Sequence, residues 1–245
     1  MSARRDGRLE GHAGMGIGRS AVGHGVSSTR EIPATPWSST GSRWSVRPLT
    51  VTVLVAGLWL FATGEAMFVA SGLGNSPWTV LADGIARHTP LTIGVATLAV
   101  SAVLMLLWIP LRERVGLGTL LNALIIGVGL DVMLLVLPRP DGFAVRLAMV
   151  ALGVAVLAVG AAVYLTANLG PGPRDGLMTG LQRVFGWRIA VARTGLEICA
   201  LSLGWLLGGR VGLGTLVFAL GVGPALGLVL AGLRRRYPVT VPAAE

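Results

Sequence analysis

The sequence predicts an all-α polytopic membrane protein. About six transmembrane helices are arranged as two inverted three-helix repeats, each with a short amphipathic or re-entrant helix. Three observations carry this prediction. Only 13% of residues are charged and 53% are hydrophobic, whereas a soluble domain carries about 25% charged residues. Six apolar segments reach the roughly twenty residues that a span requires. A stretch at 73–124 recurs, with no gap, at 169–220.

Residues 1–48 are rich in Gly, Ser and Arg and poor in apolar runs, which predicts a disordered cytoplasmic tail. No short apolar region with a small-residue cleavage site is present, so no cleaved signal peptide is expected. Met15 offers an alternative start within the tail. The spans then fall at about 49–71, 91–110, 118–138, 143–168, 189–209 and 214–233, with a short tail at 237–245. Repeat 1 is 49–138 and repeat 2 is 139–236. Connections near 111–117, 139–142 and 210–213 are short, so their flanking helices pack antiparallel. Those at 72–90 and 169–188 are longer and broken by Gly and Pro.

Arginine placement sets the orientation. With the N-terminus in the cytoplasm, fifteen arginines lie in inside segments, among them Arg112, Arg114, Arg174, Arg183 and Arg234–Arg236. Four lie outside: Arg87, Arg139, Arg146 and Arg210. Basic residues near span ends favour the cytoplasmic side, so both termini are expected there, in a bacterial plasma membrane. The net charge of +9 is read as a topology signal, and no nucleic-acid partner is expected. Trp78, Trp108 and Trp187 lie near span ends, where an indole suits the lipid interface.

The two breaks align at an offset of 96 residues. Leu73, Gly74, Pro77, Leu81, Gly84 and Arg87 match Leu169, Gly170, Pro173, Leu177, Gly180 and Arg183. RVGLGTL at 114–120 matches RVGLGTL at 210–216, and 20 of 52 aligned positions are identical. Three spans per copy is an odd number, so the second copy is inverted relative to the first. Inverted repeats recur in secondary transporters, whose sites lie at the repeat interface near short Gly/Pro-broken segments.

Each break is expected to hold a helix of about 11 residues, roughly 16 Å long and too short to span. Ser76 is a suitable N-cap and Pro77 a suitable first residue, with Gly172 and Pro173 in the equivalent places. Trp78, Leu81 and Ile85 form one apolar face; Leu177, Leu181 and Val184 form the other. Two depths are open, interfacial or re-entrant, and Arg174 and Asp175 favour the interface for the second helix. In either case the free N–H groups at the helix start suit an anion or polar solute.

Four ionisable residues fall inside spans: Glu65, Asp131, Arg193 and Glu197. A mid-bilayer charge costs about 2.5–3.5 kcal/mol on insertion scales, so each is a candidate functional residue. Arg193 and Glu197, four apart, suit an ion pair on one helix face. Glu65 and Asp131 have no local partner and are candidates to meet Arg193 or to take a proton or cation. Asn122, Thr119, Thr194 and Thr215 add polar lining. The substrate-binding set is thus Ser76, Pro77, Gly172, Pro173, Asp175, Glu65, Asp131, Arg193 and Glu197.

Other chemistry is excluded or unsupported. There is no lysine, hence no Walker A, Schiff-base or Ser-Lys chemistry. Cys199 is the single cysteine, so neither an intrachain disulfide nor a cysteine metal cluster can form. His12, His24 and His88 are scattered, and no metal site is expected. GLGT at 116–119 and 212–215 lacks the strand and the GK[ST] of a phosphate loop and reads as a span start. No nucleophile elbow or HExxH is present; no enzyme activity and no cofactor are expected. GxxxG spacings at Gly204–Gly208 and Gly223–Gly227 allow close helix contacts within the bundle or between copies, leaving a homo-oligomer open.

LG-x-x-PW followed by VGLGT, then LGPGPRDGLMTGL, the R-x-x-x-E of Arg193 and Glu197, and GWLLGGRVGLGT resemble the YczE group of bacterial integral membrane proteins. This group is related to the YitT and YyaS proteins, and the resemblance covers about residues 50–233. It implies a multi-pass helical protein of the bacterial plasma membrane and brings no biochemical activity with it. It also implies an acid after PW in the first half. Thr79 stands there, whereas the second copy has Asp175, which weakens a paired-carboxylate mechanism. The expected function is binding or transport of a small solute within the lipid bilayer. The alternative is a non-transporting accessory or scaffold protein acting on a partner protein.

Overall fold

The computed structural model describes residues 32–241. The expected tail at 1–31, with His12, His24, Met15, Arg4, Arg5, Arg8, Arg19 and Arg30, lies outside the described residues, as do residues 242–245. Eight helices follow one another: α1 (Pro48–Ser71), α2 (Pro77–His88), α3 (Ile93–Leu111), α4 (Leu117–Val136), α5 (Phe143–Ala167), α6 (Pro173–Phe185), α7 (Ile189–Leu206) and α8 (Leu213–Arg236). All except α2 and α6 are long and apolar enough to cross a membrane. Their bounds fall within a few residues of those read from hydropathy, because the same punctuation sets both. Pro48 opens α1 and Gly72 closes it at φ +66. Thr92 caps α3 through the Val95 N–H.

The two antiparallel helices α1 and α5 form the centre. Glycines let their backbones touch: a Cβ on Gly57 would lie 2.7 Å from the Tyr164 nitrogen, and one on Gly160 2.4 Å from the Phe61 nitrogen. Gly64 and Gly153 repeat the arrangement at the other end of the crossing. Leu54, Leu58, Ile126 and Ala161 fill the space around it. α4 packs on α1 and α8 on α5, while α2 packs on α7 and α3 on α6.

Positions 96 apart make reciprocal contacts. The Gly118 N–H donates to the Leu169 carbonyl at 2.9 Å, and the Gly214 N–H to the Leu73 carbonyl at 2.8 Å. The pairing of Gly57 with Gly160 and of Gly64 with Gly153 has the same property. One relation breaks the pattern. α3 packs along α4, but α7 and α8 make no comparable contact.

Residues 33–47 depart from the expected disorder. The Ser39 N–H donates to the Ala167 carbonyl, Ser38 Oγ to the Thr166 carbonyl, and the Leu117 N–H to the Arg43 carbonyl. Helix ends leave backbone groups unsatisfied, and this polar segment satisfies those of α5 and α4. Its composition reads as solvated because its partners are helix ends rather than apolar side chains. Two-residue strands β1 (Ile32–Pro33) and β2 (Thr240–Val241) pair antiparallel, so both ends of the described chain lie together.

Candidate functional site

A cavity of about 380 Å³ lies where the two copies meet. Its wall contains six pairs of residues 96 apart: Phe61 and Leu157, Trp78 and Arg174, Thr97 and Arg193, Ser101 and Glu197, Asn122 and Phe218, Ile126 and Val222. The wall is mainly apolar, with a few polar groups, the usual character of a small-molecule pocket.

Part of its wall is built by the first turns of α2 and α6. Trp78 and Arg174 are the second residues of these helices, and the Arg174 guanidinium stands 5.3 Å from the Trp78 ring centroid. Such a contact suits a guanidinium over an indole face. The turns are held from behind. Trp108 donates through Nε1 to the Pro173 carbonyl at 3.0 Å, and its ring fills the space a side chain at Gly176 would need. Thr119 Oγ1 donates to the Pro171 carbonyl at 2.7 Å.

The two helix starts differ in how they are satisfied. At α2, Ser76 Oγ accepts from the Thr79 N–H, and the Ser76 and Thr79 hydroxyls both donate to Glu65 Oε2 at 2.7 Å. Glu65, Ser76 and Thr79 are all buried, and Glu65 Oε1 has no partner among the described residues. At α6 the cap is Gly172, which offers no side chain. Asn122 faces it: a Cβ on Gly172 would lie 3.2 Å from Asn122 Nδ2.

Of the expected site residues, Gly172, Asp175, Arg193 and Glu197 line the cavity. Asp175 accepts from the Tyr164 hydroxyl at 3.1 Å, and Arg193 pairs with Glu197 at 2.9 Å. Glu65, Ser76, Pro77 and Pro173 stand outside the lining, as supports of the two helix starts. Asp131 is elsewhere. It accepts from Thr92 Oγ1 and, at 2.8 Å, from the Gly94 N–H, tying α4 to the start of α3. A carboxylate near a helix N-terminus is well placed there.

Other expectations change with burial. Trp78 and Trp108 are core residues rather than interfacial ones, and Trp187 is exposed. α2 does not bury a single face: Pro77, Trp78, Thr79, Val80, Ala82, Asp83 and Gly84 are all enclosed. Gly204 packs on the backbone of Val80 and Leu81 in the same chain, whereas Gly223 and Gly227 line the cavity without close neighbours. His88 bonds its own helix at the Gly84 carbonyl.

Sequence reading missed Tyr164, Ser101 and the inward face of Arg234 as lining. It also missed Asp83, a buried carboxylate that accepts from the Arg210 N–H at 2.9 Å and pairs with Arg87 at 3.3 Å. For Ser101 the available signal was the offset itself, since it stands 96 positions before the flagged Glu197.

Three comparisons bear on this architecture. Residues 49–231 match a family described as "Family of unknown function (DUF6198)". A protein of Haemophilus influenzae, named "Uncharacterized protein", is 43% identical over 194 residues, covering 79% of this chain and 88% of its own. "Uncharacterized membrane protein YczE" of Bacillus subtilis is 32% identical over 171 residues, covering 69% of this chain and 80% of its own. "Uncharacterized protein YyaS" of the same organism is 27% identical over 165 residues, covering 66% and 82%. No solved structure matches the chain.

Proposed function

The chain belongs to the DUF6198 family, and we propose that it is a multi-pass membrane carrier that binds a small solute between two inverted repeats. One observation carries this reading: a single cavity is walled by six pairs of residues related by the repeat offset. Solute sites of inverted-repeat carriers lie at that interface, at helix starts near mid-bilayer. With three spans per copy, α2 and α6 enter from opposite faces, so contact between Trp78 and Arg174 supports two re-entrant helices meeting at depth. The arginine bias assigns both termini to the cytoplasm of a bacterial cell.

The unequal halves support one arrested state of an alternating cycle. Asp131 binds the start of α3, and Gly94 and Gly127 bring α3 and α4 into backbone contact. The equivalent helices α7 and α8 stand apart, with Arg193 and Arg234 at the end where the termini lie. The cavity therefore faces the cytoplasm and is sealed on the far side.

The accessory-protein reading draws on α8, whose most apolar window is only 6% buried. Lipid covers such a surface without any partner protein. Cysteine accessibility separates the two readings. In a Cys199→Ala background, Val222→Cys and Ile126→Cys are expected to react with a small membrane-impermeant thiol reagent added from the cytoplasmic side. Complete protection of both positions from aqueous reagent would leave a sealed bundle and end the carrier reading.

A further inference from the structure

We propose that the solute is a small organic carboxylate, whose charged end docks on the first turn of α6 against Arg174 and Asn122. This deepens the carrier reading and rests on it.

Asn122 is 8% exposed and Ser101 6% exposed, and both line the cavity. No hydrogen bond joins either side chain to another among the described residues, and both are turned to the cavity. An occupant that pairs with both gains affinity. Arg174 is half-buried beside them and, among the described residues, its guanidinium has the Trp78 ring as partner and no hydrogen bond or ion pair. The carboxylates within its electrostatic reach are Glu65, Asp175 and Glu197. Asp175 is engaged by Tyr164 and Glu197 by Arg193, while Glu65, outside the lining, is held by Ser76 and Thr79 through Oε2 alone. A guanidinium carries five N–H donors and no acceptor. The Arg174 guanidinium therefore offers its donors to acceptor oxygens of an occupant.

The first repeat indicates which acceptor fits. There the start of α2 is already occupied by the Glu65 carboxylate, held by Ser76 and Thr79. The residue 96 positions after Glu65 is Ala161, and the one after Ser76 is Gly172. Both line the cavity. The same offset exchanges the Gly57–Gly160 and Gly64–Gly153 contacts of the two helices that carry Glu65 and Ala161. The second repeat therefore has Ala161 for the carboxylate, Gly172 for the Ser76 hydroxyl and Asp175 for the Thr79 hydroxyl; Asp175 is turned to the Tyr164 hydroxyl, and the cavity lies where the Glu65 side chain would stand. A helix start is a natural anion site, and Arg174 adds a fork suited to two carboxylate oxygens. Phe61, Leu157, Phe218 and Val222 give the rest of the occupant an apolar enclosure.

The test uses the full-length protein in detergent, with benzoate and butyrate as probes. Benzamide and butyramide are their neutral isosteres, and inorganic phosphate is a second anion. Both carboxylates are expected to raise the apparent melting temperature saturably, as binding to the folded state requires, and the amides are not. Arg174→Gln should weaken the apparent affinity about tenfold or more, the worth of a charge-assisted hydrogen bond. Ala161→Glu, which installs the counterpart of Glu65, should abolish the response while the variant itself unfolds no earlier than the parent. If that variant fails to fold, the Arg174→Gln result decides. Equal stabilisation by the amides, a response to phosphate alone, or full retention in Arg174→Gln would overturn the assignment. So would silence to every probe. Silence with Val222→Cys still reactive overturns the carboxylate assignment alone, and silence with Val222→Cys protected removes the carrier reading as well.

Discussion

Glu65 shows how one side chain fixes a helix start inside an apolar bundle. Its Oε2 receives two hydroxyls, so its removal and its neutralisation should differ. Glu65→Ala strands the Ser76 and Thr79 hydroxyls, whereas Glu65→Gln retains an acceptor. We expect the alanine variant to be less stable than the glutamine variant by about 1–3 kcal/mol, the cost of unpaired buried groups. Denaturant unfolding of the two purified variants measures the difference. Trp108 plays the matching part at α6. Trp108→Phe keeps most of the ring but loses the bond to the Pro173 carbonyl. It should cost about 1 kcal/mol. Glu65 was legible as functional because a charge in a span is rare. Its partners were not, since hydrogen bonds between hydroxyls and a carboxylate leave no periodic trace in sequence.

At the scale of elements, the packing of α3 on α4 rests on a specific contact. Asp131 accepts from Thr92 and Gly94, and a Cβ on Gly94 would lie 2.1 Å from the Gly127 carbonyl. Asp131→Ala removes this tie at a cost of about 0.5–2 kcal/mol, the usual range for a lost cap. It should also raise labelling of Val222→Cys from the side opposite the termini, while Asp131→Asn, which keeps an acceptor, stays close to the parent. Unchanged labelling in Asp131→Ala would show that this contact is no gate. The helices themselves were readable to within a few residues, because hydropathy, proline and glycine determine their ends locally. The enclosure of the starts of α2 and α6 within the protein was not. Arg174 and Asp175 suggested an interfacial helix, and only tertiary partners, Trp78 and Tyr164, make an enclosed position tolerable for them.

For the whole molecule, the crossing of α1 and α5 joins the two copies through glycine contacts that the 96-residue offset exchanges. Gly160 has no room for a Cβ, which would meet the Phe61 nitrogen at 2.4 Å, while Gly195 has nothing within 4 Å. Gly160→Ala should therefore destabilise by about 1–3 kcal/mol, as overpacking does, and Gly195→Ala should not. The repeat was visible in the residues, and it located the cavity in outline. Which half would pack its last two helices together was not visible, because identical RVGLGTL segments stand in both. The difference rests on scattered exchanges such as Asp131 for Gly227 and Glu65 for Ala161. The central claim is that these halves swap states around a shared cavity. Spin-label distances test it most directly, with one pair across the Thr92 end of α3 and α4 and another across the Arg193–Arg234 end of α7 and α8. The account predicts two populations that change reciprocally, the first pair lengthening as the second shortens when a solute is added. A single unchanging distance at both ends, with and without solute, would contradict it.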